Sequence, residues 1–349
     1  MRDLASGNPD PSLLPDLDRV LRNLRADGQR YGGPAVVPEL ETLARRKLAE
    51  DGVEVNRITL ASGALDAVDR ALTALFRPGD MVAVEDPGYA ALFDLVRAHG
   101  LLLAPVAVDD GGPVPAALED ALDSGARGVV ITPRGQNPYG CSLSAERADV
   151  LRSVLHQHQD VIVIEDDHLG EVAGAPRVST LGTTVRSLAV RSLGKALAPD
   201  LRLAVLAGDA DTIGRIEARQ RLGPLWVSHL LQLLATRVWD DPATSQLLHR
   251  AGDAYAERRE ALIGALGSRG LSAHGASGFN VWVDVADEVA AVTRLYQAGV
   301  AVMPGTAYRL AASPGIRITV SELDPAEAAD VAEAIWAAFR PSRRMTRAA

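Results

Sequence analysis

Lysine is so rare in this chain that its two lysines are the first candidates for amine chemistry. Of the 36 basic residues only Lys47 and Lys195 are lysines, and the other 34 are arginines. Arginine can replace a solvated lysine but not a nucleophilic amine, because guanidinium does not deprotonate in proteins. Lys47 lies beside Arg45 and Arg46 on a charged helical stretch, where a solvated charge explains it. Lys195 lies among small and apolar residues, which favour a neutral amine able to form an imine; a lysine that snorkels at a domain edge is the alternative.

Acidic side chains gather at the end of one apolar run. Glu165, Asp166 and Asp167 directly follow Val161–Ile164, and His168 comes next. A carboxylate at a buried strand end is costly unless a cation or a metal pairs with it. A metal site would use Asp166 and His168, but no second histidine lies nearby at ligand spacing. We therefore expect a cationic partner and no metal.

Polar residues also follow other apolar runs. Ser62, Gly63 and Ala64 lie where a strand leads into a helix, and the free N–H groups there favour an anion; an ordinary N-cap serine is the alternative. Tyr89 follows a Pro-Gly turn and could stack on a flat ring, although a partly buried turn tyrosine is equally consistent. Asn137 lies in a segment where turn chemistry explains the prolines and glycines but not the amides.

Ser192 and Arg202 bracket Lys195 and could bind a further part of the same anion. Together the strand ends supply a phosphate cup, a stacking ring, a carboxylate, a hydrogen-bond donor and an amine. This combination is what a pyridoxal phosphate site demands, and it is much more specific than any single part.

The elements that must position these residues alternate between helix and strand. Leu65, Val68, Leu72 and Leu75 recur at helical spacing after the Ser-Gly pair, and continuous apolar runs of strand length follow. The pattern predicts an α/β fold with a mostly parallel sheet buried on both faces. We expect an N-terminal segment over 1–30 that packs with the small domain, a large domain over 31–249, and a smaller α+β domain over 250–349.

Further predictions concern individual helices and the C-terminal tail. Helical patterns are expected from about Leu14 to Ala26, over Pro38–Asp51 and over Tyr255–Leu266. Asp324-Pro325 predicts another helix start, since the aspartate can cap it and proline suits the first turn. Beyond Pro341 we expect a basic, frayed tail.

Composition limits the class of protein. The 349 residues carry a formal net charge of −9, whereas nucleic-acid binding needs clustered positive charge. No apolar run approaches the roughly 18 residues of a membrane span, and no signal segment opens the chain. The single cysteine, Cys141, rules out an internal disulfide. We therefore expect a cytoplasmic protein with neither a nucleic-acid nor a membrane partner.

The chain resembles fold type I pyridoxal phosphate enzymes of the class I/II aminotransferase group. It is most similar to the aminotransferase-like domain of MocR/GntR-type regulators. The resemblance spans nearly the whole chain. The matching stretches are Ser6–Asp10, Tyr31–Gly32, Ser62–Ala64, Glu85–Tyr89, Gln136–Gly140, Glu165–Asp167, Lys195–Arg202 and Gly315–Arg317.

The resemblance implies roles at the cofactor. Lys195 would hold pyridoxal phosphate covalently and later move the Cα proton, while Asp166 would pair with the pyridine nitrogen. Asn137 would hydrogen-bond the ring oxygen, and Tyr89 would stack on the ring. The phosphate would be bound by a larger set, namely Ser62, Gly63, Ala64, Ser192 and Arg202.

It also implies a shared site and a substrate. Tyr31 matches the tyrosine that such enzymes lend to the neighbouring subunit's phosphate, which implies a homodimer. Arg317 matches the arginine that binds the α-carboxylate of an amino-acid-like substrate, with Gly7 and Asn8 beside it.

Three departures from the family pattern are visible. His168 replaces the tyrosine that many relatives have two residues after the pyridine-pairing aspartate; it can still donate to the ring oxygen, but reaction choice is then open. The usual N-terminal arm is expected to be short or missing. We likewise expect the protein to lack the winged-helix domain of the regulators.

An aminotransferase is the leading functional prediction. A β-eliminating C–S lyase or a decarboxylating deaminase in specialised metabolism is the enzymatic alternative, because the same cofactor can direct cleavage of other bonds. A module that senses cofactor and amino acid without turnover is the alternative of another class. Further pocket candidates, which one sequence cannot rank, are Arg134, Trp226, His229 and Asn280.

Overall fold

The apolar runs form a large eight-stranded sheet in the structure, a computed structural model that describes residues 1–25 and 31–339. Its strands lie in the spatial order β2-β9-β8-β7-β6-β3-β4-β5. Their bounds are β2 Arg57–Ala61, β3 Met81–Asp86, β4 Leu102–Asp109, β5 Gly112–Pro113, β6 Ala126–Ile131, β7 Ile162–Asp167, β8 Arg186–Ser192 and β9 Ala204–Gly208.

The central strands of this sheet run parallel. β4, β3, β6, β7 and β8 pair in parallel, whereas β9 runs antiparallel to β8 and β2, and β5 antiparallel to β4. The mostly parallel α/β sheet is thus confirmed. Parallel strands bring their carboxyl ends to one edge, so the polar residues that follow β3, β6, β7 and β8 meet there.

Helices cover both faces of the large sheet. Along β3 the side chains alternate: Val82 and Val84 pack into one apolar cluster, and Ala83 packs into another on the opposite face. The helices of the chain are α1 Leu17–Leu21, α2 Pro38–Glu50, α3 Ala64–Leu75, α4 Ala90–Ala98, α5 Pro115–Asp123, α6 Ala145–His156, α7 Ala210–Gln220, α8 His229–Trp239, α9 Pro242–Gly267, α10 Glu288–Gln297 and α11 Ala328–Phe339.

A smaller sheet follows in the C-terminal part. Its antiparallel order is β10-β11-β14-β13, with β10 Ala273–His274, β11 Asn280–Asp284, β13 Met303–Pro304 and β14 Gly315–Thr319. The N-terminal strand β1, Arg2–Asp3, pairs in parallel with β12, Val300–Ala301. The first residues of the chain therefore lie against its last third.

The first predicted helix is shorter than the sequence suggested. Pro11–Leu13 form a 3₁₀ turn, and α1 covers only Leu17–Leu21. The Asp16 side chain accepts a hydrogen bond from the Asp18 N–H and so starts the helix after Pro15. The predicted end at Ala26 lies outside the described residues, as does the tail beyond Pro341.

The long helix α9 runs through the expected domain boundary. The sequence predicted a helix only over Tyr255–Leu266, but α9 begins at Pro242 with the Asp241 side chain as its N-cap. The sequence signal for this helix start is the pair Asp241-Pro242, which was overlooked. Residues 249 and 250 lie inside this helix, so the division of the chain there stays a prediction.

The remaining helix predictions hold. In α2, Leu40, Leu43 and Leu48 are buried, and Lys47 is half-buried. Asp324 caps a short 3₁₀ turn that leads into α11. Within residues 1–25 and 31–339, no helix combines the length and the apolar character needed to cross a bilayer.

Candidate active site

A cavity of about 540 Å³ lies where the polar strand ends of the large sheet face the N-terminal segment and the small sheet. Of the residues predicted to act on the cofactor or the substrate, all except Ser62 and Tyr31 line it. The predicted residues that line it are Gly7, Asn8, Gly63, Ala64, Tyr89, Asn137, Asp166, His168, Ser192, Lys195, Arg202 and Arg317.

Lys195 places its amine in this cavity. It lies in the turn after β8, between the fully buried Leu193 and Ala196, and its Nζ donates a hydrogen bond to the Gly7 carbonyl oxygen. Burial lowers the pKa of Lys195, and the nearby Arg317 guanidinium lowers it further. Both effects raise the fraction of neutral amine, the form that can attack an aldehyde.

Asp166, on β7, presents a carboxylate that lacks a partner. Its Oδ1 is buried and has no hydrogen-bond partner within residues 1–25 and 31–339. Burial raises the pKa of Asp166 to about 7, and the adjacent Asp167 carboxylate adds to the rise. A buried acceptor of this kind is completed by a ligand that brings a donor or a positive charge.

Asp167 points to the opposite face of the strand, where arginines surround it. Arg134 Nε and Arg191 Nε each donate to its carboxylate, at 3.0 and 2.8 Å, and Arg177 lies 3.7 Å away. Although burial opposes it, Arg191 and Arg134 lower the pKa of Asp167. The cation that the acidic strand end required is therefore arginine. The suggestion that Arg134 lines the pocket is wrong, because its side chain is buried in the ion pair with Asp167 and lies outside the cavity lining.

Glu165 completes the same buried charge cluster. Its carboxylate pairs with Arg177 and accepts hydrogen bonds from Ser179 Oγ and Thr180 Oγ1. The part of the chain that the structure describes contains no group of three or more histidine, cysteine or acidic side chains placed to hold a metal ion. The three consecutive acids thus have two environments, with one carboxylate facing the cavity and two neutralised behind it.

His168 follows β7 and also faces the cavity. Burial lowers the pKa of His168 to about 4, and the Lys195 charge contributes. The imidazole is therefore neutral near pH 7 and keeps one N–H donor. It can donate a hydrogen bond to an oxygen in the cavity without adding a positive charge there.

The junction between β2 and α3 forms an anion cradle. Gly63, the N-cap of α3, has φ +111°, a conformation that favours glycine, and Arg202 Nη2 donates to the Ser62 carbonyl oxygen at 3.0 Å. A Cβ added at Gly63 would lie 3.0 Å from Arg202 Nη2. Ser192 lines the cavity nearby, and the start of α3 adds the positive end of its dipole.

Gly63→Ala is expected to weaken phosphate binding in this cradle. The added methyl group displaces Arg202, and the left-handed backbone costs about 1 kcal/mol or more of stability. We expect the affinity of the protein for pyridoxal phosphate to fall about tenfold, as for loss of one charged hydrogen bond, measured by spectral titration. Gly79→Ala is the matched control, since Gly79 has φ +91° but no atom within 4 Å of the added Cβ. Equal affinity losses in the two variants would contradict the assignment of this cradle as the phosphate site.

Arg317, on β14, reaches the cavity from the small sheet. It is 4% exposed, its Nη1 donates to Asn137 Oδ1 at 3.2 Å, and its Nη2 donates to the Ala5 carbonyl oxygen. Its Nε is buried without a partner among the described residues. A Cβ at Gly7 would lie 3.5 Å from its Nη1, which shows how closely the N-terminal segment approaches. This guanidinium can bind a carboxylate in the cavity.

Two tyrosines form further walls. Tyr89 lies at the start of α4 and is 39% exposed, while the buried Tyr308 stacks on Arg317, with 5.0 Å between the guanidinium carbon and the ring centroid. The sequence analysis missed Tyr308. Only 4% of the residues are aromatic, and this scarcity is the signal that could have found Tyr308. Glu85 was also given no role; it is buried in the lining and accepts the Thr132 N–H at 2.9 Å.

Tyr31 lies outside the cavity lining. It is 86% exposed, and its ring meets the edge of Trp226, which in turn stacks on His229. Neither Trp226 nor His229 lines the cavity of the single chain, so the prediction that they are pocket residues is wrong for one copy of the protein. Of the further pocket candidates, only Asn280 lies in the lining.

The class I and II aminotransferase family model matches residues 1–335. The chain belongs to this family. The vitamin B6 salvage pathway transcriptional repressor PtsJ of Salmonella typhimurium is 40% identical over 343 residues, covering 96% of this chain and 80% of that protein. The aspartate/prephenate aminotransferase of Thermus thermophilus is 28% identical, covering 87% of this chain and 82% of the relative. The family thus includes named enzymes and a named repressor.

Solved structures of aminotransferases share the fold. Pyrococcus horikoshii kynurenine aminotransferase, in complex with PMP, superposes with a TM-score of 0.87 at 24% identity, covering 97% of this chain and 90% of that chain. A Thermus thermophilus aspartate aminotransferase gives 0.82 at 23% identity and covers 96% of both chains. The fold type I prediction is confirmed.

Pyridoxal phosphate is the cofactor of this aminotransferase family. The cavity of this chain fits it on its own residues. The unpartnered Asp166 Oδ1 suits a protonated ring nitrogen, and the cradle at Gly63 and Arg202 suits a phosphate. Lys195 supplies the amine for the aldehyde. The residues of the cavity therefore match the ring nitrogen, the phosphate and the aldehyde of the cofactor.

Proposed function

We propose that this protein is a pyridoxal phosphate-dependent aminotransferase that acts at the Cα of an amino acid or amino-acid-like substrate. One observation supports this most strongly. The Lys195 amine, the unpartnered Asp166 carboxylate and the Arg317 guanidinium face one cavity, although they come from three separate parts of the chain. The stability of the fold does not require these three side chains to face the same cavity.

Arg317 orients the substrate. Its guanidinium binds the α-carboxylate, and Asn137 holds the guanidinium from the side through the 3.2 Å contact with its Oδ1. That contact leaves the Asn137 amide N–H₂ to donate to a ring oxygen. Gly7 lies between the Lys195 amine and the Arg317 guanidinium. Its carbonyl oxygen accepts a hydrogen bond from Lys195, and its Cα faces Arg317. A carboxylate bound at Arg317 therefore places the neighbouring Cα within reach of the lysine.

Lys195 moves the proton at that Cα. Its lowered pKa raises the fraction of neutral amine, which is the form that can take up a proton. When bound, pyridoxal phosphate supplies an electron sink that stabilises charge at the Cα. Asp166 strengthens the sink by holding the ring nitrogen in its protonated form, and neutral His168 can donate to the ring oxygen.

We propose that the protein works as a homodimer with shared sites. Tyr31 is 86% exposed and packs on the edge of the half-buried Trp226, and Leu222 and Leu230, near Trp226 in the sequence, are 80% and 55% exposed. Several large apolar side chains exposed in one part of a chain are typical of an interface. A second copy would cover them and bring its Tyr31 to the first copy's phosphate.

A sensing module is the second candidate function. The observation that favours it is the 40% identity to a protein named as a transcriptional repressor of vitamin B6 salvage. Such a module would bind cofactor and amino acid in the same cavity without releasing product. Lys195, Asp166 and Arg317 are the residues that turnover requires, and their presence favours an enzyme instead.

The test uses purified protein loaded with pyridoxal phosphate and a panel of amino acids. A transaminase yields one keto acid per pyridoxamine phosphate formed, and added keto acid restores the starting spectrum. Pyruvate and thiol released without an acceptor would instead establish β-elimination, and released CO₂ would establish decarboxylation. A spectral change with no product across the panel would overturn the enzyme proposal and leave the sensing module.

A further inference from the structure

Asp86, at the end of β3, holds a loop of the C-terminal part. Its buried carboxylate accepts three consecutive backbone N–H groups, with Oδ1 bonded to Leu310 at 2.8 Å and Oδ2 to Ala311 and Ala312 at 2.7 and 2.8 Å. Nearby, the Gly88 N–H donates to the Tyr308 carbonyl oxygen at 2.7 Å. The edge of the large sheet thus binds the backbone of residues 308–312.

A second carboxylate holds the same loop from the other side. Glu288, at the start of α10, accepts the Thr306 N–H at 2.7 Å, Arg309 Nε at 2.7 Å and the Gly315 N–H at 3.0 Å. These contacts remain within the C-terminal part of the chain. Asp86 is therefore the acid that fixes this loop to the large sheet, and Glu288 shapes the loop itself.

Tyr308 is the side chain that this attachment positions. Its ring lines the cavity and stacks on Arg317, and it is 5% exposed. A guanidinium stacked on an aromatic face keeps its donor edge in the plane that a carboxylate can approach. The place of Tyr308 therefore contributes to the direction of the Arg317 donors, together with the hydrogen bonds from Arg317 to Asn137 and Ala5.

We propose that Asp86 is a positioning residue for the substrate carboxylate. By binding the 310–312 backbone it holds Tyr308 against Arg317, and so keeps the guanidinium oriented for the carboxylate. This inference rests on the role of Arg317 in the proposed function. Asp86 itself does not line the cavity, so it acts through Tyr308 and Arg317.

The test replaces one acceptor oxygen. In Asp86→Asn an amide N–H₂ takes the place of one carboxylate oxygen, so at least one of the three backbone donors loses its acceptor. Hydrogen exchange of the 310–312 amides is measured first, on cofactor-free protein, which makes it independent of turnover. We expect these amides to exchange at least tenfold faster than in the unchanged protein, and we expect no change in Asp94→Asn, whose carboxylate is 80% exposed on α4.

Carboxylate binding is measured next, on cofactor-loaded protein. The probes are 2-methylalanine, which has no Cα proton to lose, and isopropylamine, which lacks only the carboxylate. For Asp86→Asn we expect the Kd of 2-methylalanine to rise about tenfold, the scale of one charge-assisted hydrogen bond, and that of isopropylamine to change less than twofold. For the best substrate of the panel, KM should rise more than kcat falls. Arg317→Lys should show little further loss when Asp86→Asn is added, because both act on one interaction.

The outcomes separate this inference from the proposed function. Unchanged amide exchange, an unchanged Kd for 2-methylalanine, or equal losses for both probes would overturn the role of Asp86. Absence of any preference of the unchanged protein for 2-methylalanine over isopropylamine would overturn it as well. A preference that Asp86→Asn removes, in a protein without turnover, would uphold the inference and reject the aminotransferase.

Discussion

Lys195→Ala is expected to abolish the visible absorption of covalently held pyridoxal phosphate and to lower turnover by at least about 10³-fold. Two functions of one amine are lost together, because the variant can neither hold the aldehyde nor move the Cα proton, and proton transfer alone contributes roughly 10²–10⁴-fold. The phosphate cradle at Gly63 and Arg202 remains, so the cofactor still binds without the covalent link. The absorption spectrum and single-turnover kinetics measure the two losses.

Lys47→Ala provides the matched control for this variant. Lys47 is the other lysine of the chain and lies half-buried on α2, outside the cavity lining. We expect its spectrum and turnover to equal those of the unchanged protein. Lys195→Arg should fail like the alanine variant, since arginine keeps the charge but not a nucleophilic amine. A covalent cofactor band that persists in Lys195→Ala would refute the assignment.

Asp166→Asn is expected to lower turnover by roughly 10²-fold while leaving the covalent link at Lys195 in place. An amide cannot stabilise a protonated ring nitrogen, and breaking a buried charge pair costs about 3 kcal/mol or more. Stopped-flow measurement of Cα proton removal tests this directly. Asp160→Asn is the control, since Asp160 is exposed just before the same strand. Equal rates in both variants would show that Asp166 does not support the ring nitrogen.

The same substitution has a pH signature in the cofactor-free protein. The pKa of Asp166 is raised by burial from 3.8 to about 7, so the folded state binds a proton that the unfolded state has released. This residue's contribution to the free energy of unfolding therefore falls as pH rises from about 4 to 7. Glu85, with its pKa raised by burial to about 7, has the same sign, whereas His168, with its pKa lowered by burial to about 4, has the opposite sign up to about pH 6.5.

Comparison of variants isolates Asp166 from these neighbours. The free energy of unfolding of Asp166→Asn, minus that of the unchanged protein, should increase between pH 4 and 7 and then level off. Urea unfolding of the cofactor-free protein at several pH values measures it. A difference that does not vary with pH would mean that Asp166 is ionised throughout.

Local sequence patterns predicted the large sheet and much of the cavity. Continuous apolar runs such as Val161–Ile164 can be buried only within a covered sheet, and parallel strands then bring their polar ends together. Lys195, Asp166 and Asn137 could be found for this reason, because each directly follows or lies near such a run. Rare residue types helped, since lysine is replaceable by arginine wherever only charge matters.

The residues that were missed or misplaced depend on contacts between distant parts of the chain. Tyr308 and Asp86 are joined through a loop bound by backbone N–H groups, and backbone donors leave no trace in side-chain spacing. Arg134 follows a strand end just as Asn137 does, but its side chain turns to the buried Asp167. The choice between the two directions is set by packing that becomes visible only in three dimensions.

The meeting of Gly7 with Lys195 and Arg317 has a consequence for biosynthesis. The segment that contains Gly7 is translated before the rest of the chain. Its partners are translated late: β1 pairs with β12, and the Leu4 carbonyl oxygen accepts a hydrogen bond from the Thr319 N–H of β14. The cavity therefore has no closed wall while the ribosome is translating the large sheet. Cofactor capture in its final form must wait until residues beyond Arg317 have left the exit tunnel.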